Sequence, residues 1–142
     1  MKIGIASDHG GYELKEELKK TLTELRIDFD DCGVYDETSV DYPEIARKLC
    51  QAILDKKYDR GILLCGTGIG VSIVANRLKG IRAAVCSDVF SAVMSREHND
   101  ANVLCMGGRV IGSGLASMIM EKWLCTEFAA GRHARRVCMI DE

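Results

Sequence analysis

The chain has 142 residues, of which 47% are hydrophobic and 28% charged, and its formal net charge is -2. That length is near the commonest size of one domain, and the balance excludes a disordered or fibrous polymer. So small a charge also excludes a broad basic surface for nucleic acid or an anionic membrane, so any basic site has to be local.

Lys2 to Ser7 reads as a strand, followed by a helix from Gly11 to Leu25 with Leu14, Leu18, Leu22 and Leu25 on one face. The N-terminus turns polar too soon for the apolar centre of a signal peptide, and no run reaches the length of a membrane span, so a cytoplasmic place is expected. A second strand near Ile27 to Asp31 leads through a polar loop to Asp41-Tyr42-Pro43, where the only proline marks a helix start and Ile45, Ala46, Leu49, Ile53 and Leu54 keep helical spacing. Arg60 to Cys65 is a buried strand and Ile69 to Leu78 a helix. Ile81 to Cys86 and Val89 to Glu97 repeat the pair. Asn102 to Met106 reads as a fifth strand, and Leu115, Met118, Ile119 and Trp123 line one wall of the helix after it.

Repeated βα units predict an α/β fold: a Rossmann-like three-layer sandwich with a five-stranded, mostly parallel sheet and helices on both faces. With no linker or change of composition, one domain over residues 1–142 is expected, with a C-terminal tail or helix from about 127. The seven cysteines, at 32, 50, 65, 86, 105, 125 and 138, are odd in number and contain no C-x-x-C pair, so they read as free thiols, most of them small core residues. His9, His98 and His133 lie far apart in sequence, and no close ligand pair suggests a metal.

In such sheets ligands bind beyond the carboxyl ends of the strands, which directs attention to four clusters. These are Ser7-Asp8-His9-Gly10-Gly11, Cys65-Gly66-Thr67-Gly68-Ile69-Gly70, His98-Asn99-Asp100-Ala101-Asn102 and Gly107-Gly108-Arg109. The second lacks the Gly-Lys-Ser/Thr of a phosphate-binding loop and the G-x-G-x-x-G spacing of a dinucleotide site, which weakens a nucleotide reading. Its distinguishing feature is Cys65 at a strand end facing loop amides, where a helix start favours thiolate and can hold an oxyanion. A cysteine is ordinarily a small core residue, and only position argues otherwise for Cys65. Arg132 and Arg136, four apart, can present two guanidinium forks to one phosphate, although such a basic run is also what a solvated helix end looks like.

Taken together, these motifs resemble the ribose-5-phosphate isomerase type B family and its sugar-phosphate isomerase relatives. The resemblance runs through Ser-Asp-His-Gly-Gly at 7 to 11, Asp-Tyr-Pro at 41 to 43, Cys-Gly-Thr-Gly-Ile-Gly at 65 to 70, Asn-Arg at 76 to 77 and Gly-Ile-Arg-Ala at 80 to 83. It continues with His-Asn-Asp-Ala-Asn at 98 to 102, Gly-Gly-Arg at 107 to 109, and Gly-Arg-His at 131 to 133 with Arg136.

The resemblance implies an aldose-ketose isomerase of the pentose phosphate pathway that interconverts D-ribose 5-phosphate and D-ribulose 5-phosphate through a cis-enediolate. Cys65 would take the C2 proton, His98 would help open the sugar ring, and Thr67 would help hold the enediolate oxygen. Asp8, His9, Gly66, Thr67, Gly68, Ile69, Gly70, Asn99, Arg109, Arg132 and Arg136 match the substrate-binding positions. It also implies no cofactor or metal, a phosphorylated sugar as the small-molecule partner, and a homodimer or higher homo-oligomer whose subunits share active sites. A six-carbon sugar phosphate, such as allose 6-phosphate or galactose 6-phosphate, is an alternative substrate. A non-catalytic sugar-phosphate or nucleotide sensor and a redox thiol protein are the readings outside this class.

Overall fold

A computed structural model describes all residues, Met1–Glu142. The strands β1 (Lys2–Ser7), β2 (Asp28–Asp31), β3 (Arg60–Cys65), β4 (Ala83–Val85) and β5 (Val103–Gly107) form one sheet in the order β2-β1-β3-β5-β4. Every neighbouring pair is parallel, as expected of a sheet built from βα units. The helices α1 (Tyr12–Glu24), α4 (Val89–Asn99) and α5 (Ser113–Cys125) cover one face, while α2 (Tyr42–Leu54) and α3 (Ile69–Ala75) cover the other. The tail forms a further helix, α6 (Arg132–Ile140), packed against α4.

The strands are apolar throughout because both of their faces are covered. Ile3, Ile5, Ile62, Leu64, Leu104 and Met106 meet Leu18, Ile119 and Trp123 on one side. Ala6, Leu63, Val103 and Cys105 meet Leu49, Ile53 and Val71 on the other. Four cysteines, at 50, 65, 86 and 105, are buried, Cys32 is half-buried, and Cys125 and Cys138 are exposed.

Two elements are shorter than their patterns predict. The third helix stops at Ala75 and the fourth strand runs only from Ala83 to Val85. The Asn76 side chain explains both: its amide nitrogen donates to the Ala83 carbonyl at 3.0 Å, and its oxygen accepts the Ala83 amide at 2.8 Å. That pairing stands in for a ladder rung and turns the chain early, the competition with regular structure for which asparagine is suited. Asn102 repeats the device, accepting from Arg82 N and donating to Gly80 O, each at 2.8 Å.

Near the upper edge of the sheet the Lys15 side chain is 0% exposed and its ammonium donates to both Asp31 oxygens, at 2.6 and 2.8 Å. Lys19 adds a bond of 2.7 Å to the same carboxylate. Burial pushes the Asp31 carboxyl up, but the two ammonium groups and the Gly33 amide outweigh it and hold the group below the usual carboxylate range.

Candidate active site

Strands β1 and β3 are neighbours, but the helices that follow them leave to opposite faces of the sheet, and a crevice opens where they part. The registers Ser7 to Leu64 and Cys65 to Gly107 bring the ends of β1, β3 and β5 to one edge. Asp8 shapes the first loop: its backbone N–H donates to Leu64 O at 3.1 Å, and its carboxylate accepts the Gly11 amide at 3.1 Å. On the other side Gly108 N donates to Cys65 O at 2.8 Å and Arg109 N to Gly66 O at 3.0 Å. The loop carrying Cys65 is therefore tied down along its length.

Gly68 is required where it stands. Its φ is +79°, and a Cβ there would lie 2.9 Å from the Met106 backbone. This left-handed turn directs the Gly68 amide to Cys65 Sγ at 3.0 Å. The amides of Gly66 and Thr67 have no protein acceptor and remain able to meet an anionic oxygen. Thr67 is exposed, and its Oγ1 accepts the Ile69 amide at 3.2 Å, which leaves the hydroxyl proton free. Arg109 is exposed and has no carboxylate partner, and its Nη1 comes within 3.1 Å of where a Gly66 side chain would begin.

Cys65 is 5% exposed and stands at the border between the apolar layer and this loop. Desolvation pushes the buried Cys50 thiol up to about 12 and Cys86 up to about 11, and Cys105 is also raised. Those three stay protonated at neutral pH and belong to the packing.

The third cluster does not join the others. His98 and Asn99 end α4, which runs antiparallel to the strands, so they lie below the start of β5 and not beyond a carboxyl end. Ala129 N bonds Glu97 O at 3.1 Å and Arg82 Nε bonds Asn99 O at 3.0 Å, which fixes this region at the lower edge. Arg132 and Arg136 belong there too, exposed on α6, whose His133 ring stacks on His98 with centroids 4.3 Å apart. Strand β3 alone separates the two edges by roughly 17 Å, at about 3.3 Å per residue. The structure thus assembles Asp8, His9, Cys65, Gly66, Thr67, Gly68, Ile69, Gly70 and Arg109 at one edge, and His98, Asn99, Arg132 and Arg136 at the other.

Two contacts were not legible as site features. His133 was visible in the Gly-Arg-His motif at 131 to 133 but given no role, and its stacking on His98 needs the packing of α6 on α4. Tyr42, read as part of a helix start and of the Asp-Tyr-Pro motif but given no place in the site, lies with its ring against Gly70, 2.7 Å from where a side chain would begin there.

A parallel α/β sheet with a thiol and free amides at its switch point defines a small-molecule site of the Rossmann-like class. Residues 3–140 match the family described as Ribose/Galactose Isomerase. Ribose-5-phosphate isomerase B of Escherichia coli strain K12 is 46% identical over 136 residues, covering 96% of this chain and 91% of that one. The structure of ribose-5-phosphate isomerase B from Clostridium thermocellum is similar at a TM-score of 0.97 and 52% identity, over 99% of this chain and 95% of that one. A ribose 5-phosphate isomerase from Thermotoga maritima gives a TM-score of 0.96 and 52% identity, over 99% and 97%. The chain belongs to the ribose/galactose isomerase family and is an isomerase by that membership.

Proposed function

We propose that the chain interconverts D-ribose 5-phosphate and D-ribulose 5-phosphate, with Cys65 as the base. The observation that carries this reading is the Gly68 amide donating to Cys65 Sγ at 3.0 Å, beside the unpaired amides of Gly66 and Thr67. In the open-chain aldose the thiolate takes the C2 proton, the C–H electron pair becomes the C1–C2 double bond, and the carbonyl pair moves to O1. The resulting cis-enediolate oxygen meets the free loop amides and the Thr67 hydroxyl. Transfer of the O2 proton to O1 and proton delivery to C1 complete the ketose, and no electron leaves the substrate, so neither cofactor nor metal is invoked.

His98 would move a proton at the ring oxygen, and Asn99, Arg132 and Arg136 would hold the far end of the sugar phosphate. Because these residues stand at the opposite edge of their own sheet, a second copy supplies them, and the working unit is at least a homodimer with shared sites. Exposed Ile69, Ile73, Val85, Phe90 and Val110 provide apolar surface for such a contact. Each copy is read as one domain acting in the cytoplasm within the pentose phosphate pathway. No helix is long and apolar enough to cross a membrane.

Comparing kcat/KM for ribose 5-phosphate with allose 6-phosphate and galactose 6-phosphate tests the substrate. A preference for ribose 5-phosphate of at least tenfold, or about 1.4 kcal/mol, is expected. A higher value for either hexose phosphate overturns the assignment. Solvent deuterium should appear at C1 or C2 during turnover, and its complete absence would exclude the proton-transfer route.

A further inference from the structure

His9 opens the short 3-10 turn after β1, and its ring meets a segment far along the chain: Val40 N donates to His9 Nδ1 at 3.3 Å. An amide N–H can bond to an imidazole nitrogen only through a lone pair, so Nδ1 carries no proton and the ring's single proton resides on Nε2. We infer that Val40 is a positioning residue that holds His9 as the Nε2–H tautomer, making His9 a neutral hydrogen-bond donor to an oxygen of the bound sugar phosphate. For what His9 meets, this rests on the isomerase reading above, whereas the tautomer rests on geometry alone.

The segment that delivers Val40 is anchored independently. Gly33 N donates to Asp31 Oδ1 at 3.0 Å, on the carboxylate clamped by Lys15 and Lys19. Ser7 N donates to Gly33 O at 2.7 Å and Val34 N to Ser7 O at 2.8 Å, so the segment continues the edge of the sheet beside β1. At its far end Asp41 begins α2. The buried ion pair and these bonds thus hold the chain on which Val40 sits, and Val40 in turn orients the imidazole.

The ring lines a cavity of about 190 Å³ together with Arg109, Glu13, Glu37 and Gly108. Arg109 contributes positive charge there beside the two glutamates, and a neutral His9 adds a hydrogen-bond donor, not a second cation. With Nδ1 occupied and Nε2 already protonated, His9 cannot also accept a proton from the sugar. Proton transfer at the ring oxygen is left to His98, and the two histidines have separate tasks.

Imidazole nitrogen–proton correlation spectra of the full-length, uniformly nitrogen-15-labelled protein test the tautomer, since only three histidines contribute. The signals lost in His9→Gln identify the residue. At the pH of assay His9 should show an unprotonated Nδ1 and a protonated Nε2; an Nδ1–H tautomer or a doubly protonated ring overturns the inference. In kinetics, glutamine places an amide N–H about where Nε2–H was. His9→Gln should therefore keep kcat within tenfold, whereas His9→Ala, which removes the donor, should raise KM for ribose 5-phosphate by about fivefold, the scale of one neutral hydrogen bond. A loss of kcat beyond a hundredfold with KM unchanged would mean that His9 moves a proton, and sinks the assignment. If the wild-type protein fails to isomerise any sugar phosphate, the functional reading falls while the spectra still decide the tautomer.

Discussion

His98 and His133 stack with ring centroids 4.3 Å apart and planes 12° from parallel. Desolvation pushes the half-buried His133 imidazole below its ordinary value, His98, Arg132 and Arg136 push the same way, and Glu97 opposes them. A histidine depressed in the folded state binds protons more weakly than in the unfolded chain, so its contribution to docking is complete above about pH 6.5 and is lost as pH falls below that value. The packing of α6 on α4, and with it the two arginines, should weaken on acidification from pH 7 to 5.5. Proton NMR should give His133 a midpoint below 6.5; a midpoint above it contradicts this account.

Removal of the Cys65 sulfur should lower kcat by about 10²- to 10⁴-fold, the range ascribed to a positioned base. Cys65→Ala should leave stability nearly intact, because the side chain lies at the margin of its core and not at its centre. Steady-state rates with a parallel thermal melt check this, and normal turnover would remove Cys65 from the mechanism.

If two chains build each site, complementary defects can be combined. Cys65→Ala and His98→Ala homodimers should each be nearly inactive, whereas subunits mixed through a denature and refold cycle should recover about a quarter of wild-type activity. Half of the dimers are then mixed, and one of the two sites in each carries both native groups. No recovery, in a mixture that native mass spectrometry shows to contain heterodimers, would contradict shared sites.

Gly68 lies at φ +79° with the Met106 backbone beneath it, so Gly68→Ala combines about 1–2 kcal/mol of backbone strain with displacement of the loop. A shift of about 1 Å in the amide that meets Cys65 can cost on the order of 10²-fold in rate. We expect kcat to fall far more than stability does, and equal activity in variant and wild type would contradict the role given to the loop.

Asp31→Asn leaves the buried Lys15 ammonium with only the Glu16 carboxylate, 3.4 Å away, as a charge partner, and chemical denaturation should report a loss of about 3 kcal/mol. The native carboxyl is depressed below 3.8, so its stabilisation is complete above about pH 4 and disappears as pH falls through the folded value. The variant should therefore show a flatter acid-unfolding profile than wild type. An unchanged denaturation midpoint would mean that the pair contributes nothing net.

Much of the architecture was legible because it is local. Lys2–Ser7 and Arg60–Cys65 were readable to the residue from continuous apolar runs, since a strand buried on both faces leaves that mark. Cys65 and its glycines were readable because a strand end, a thiol and a tight turn are adjacent in sequence. The short β4 was misjudged: Asn76 and Asn102 replace ladder bonds with side-chain bonds, and hydrophobic periodicity carries no trace of that exchange.

What the sequence determined by itself was the alternation of strand and helix and the chemistry available at each loop, because periodicity and turn residues act over a few positions. Strand order was left to the tertiary structure, and with it the separation of His98 from Cys65, the burial of Lys15 against Asp31 and the reach of Val40 to His9. These contacts join segments far apart in sequence, and they exist only once parallel pairing has chosen neighbours and the crossover helices have chosen their faces.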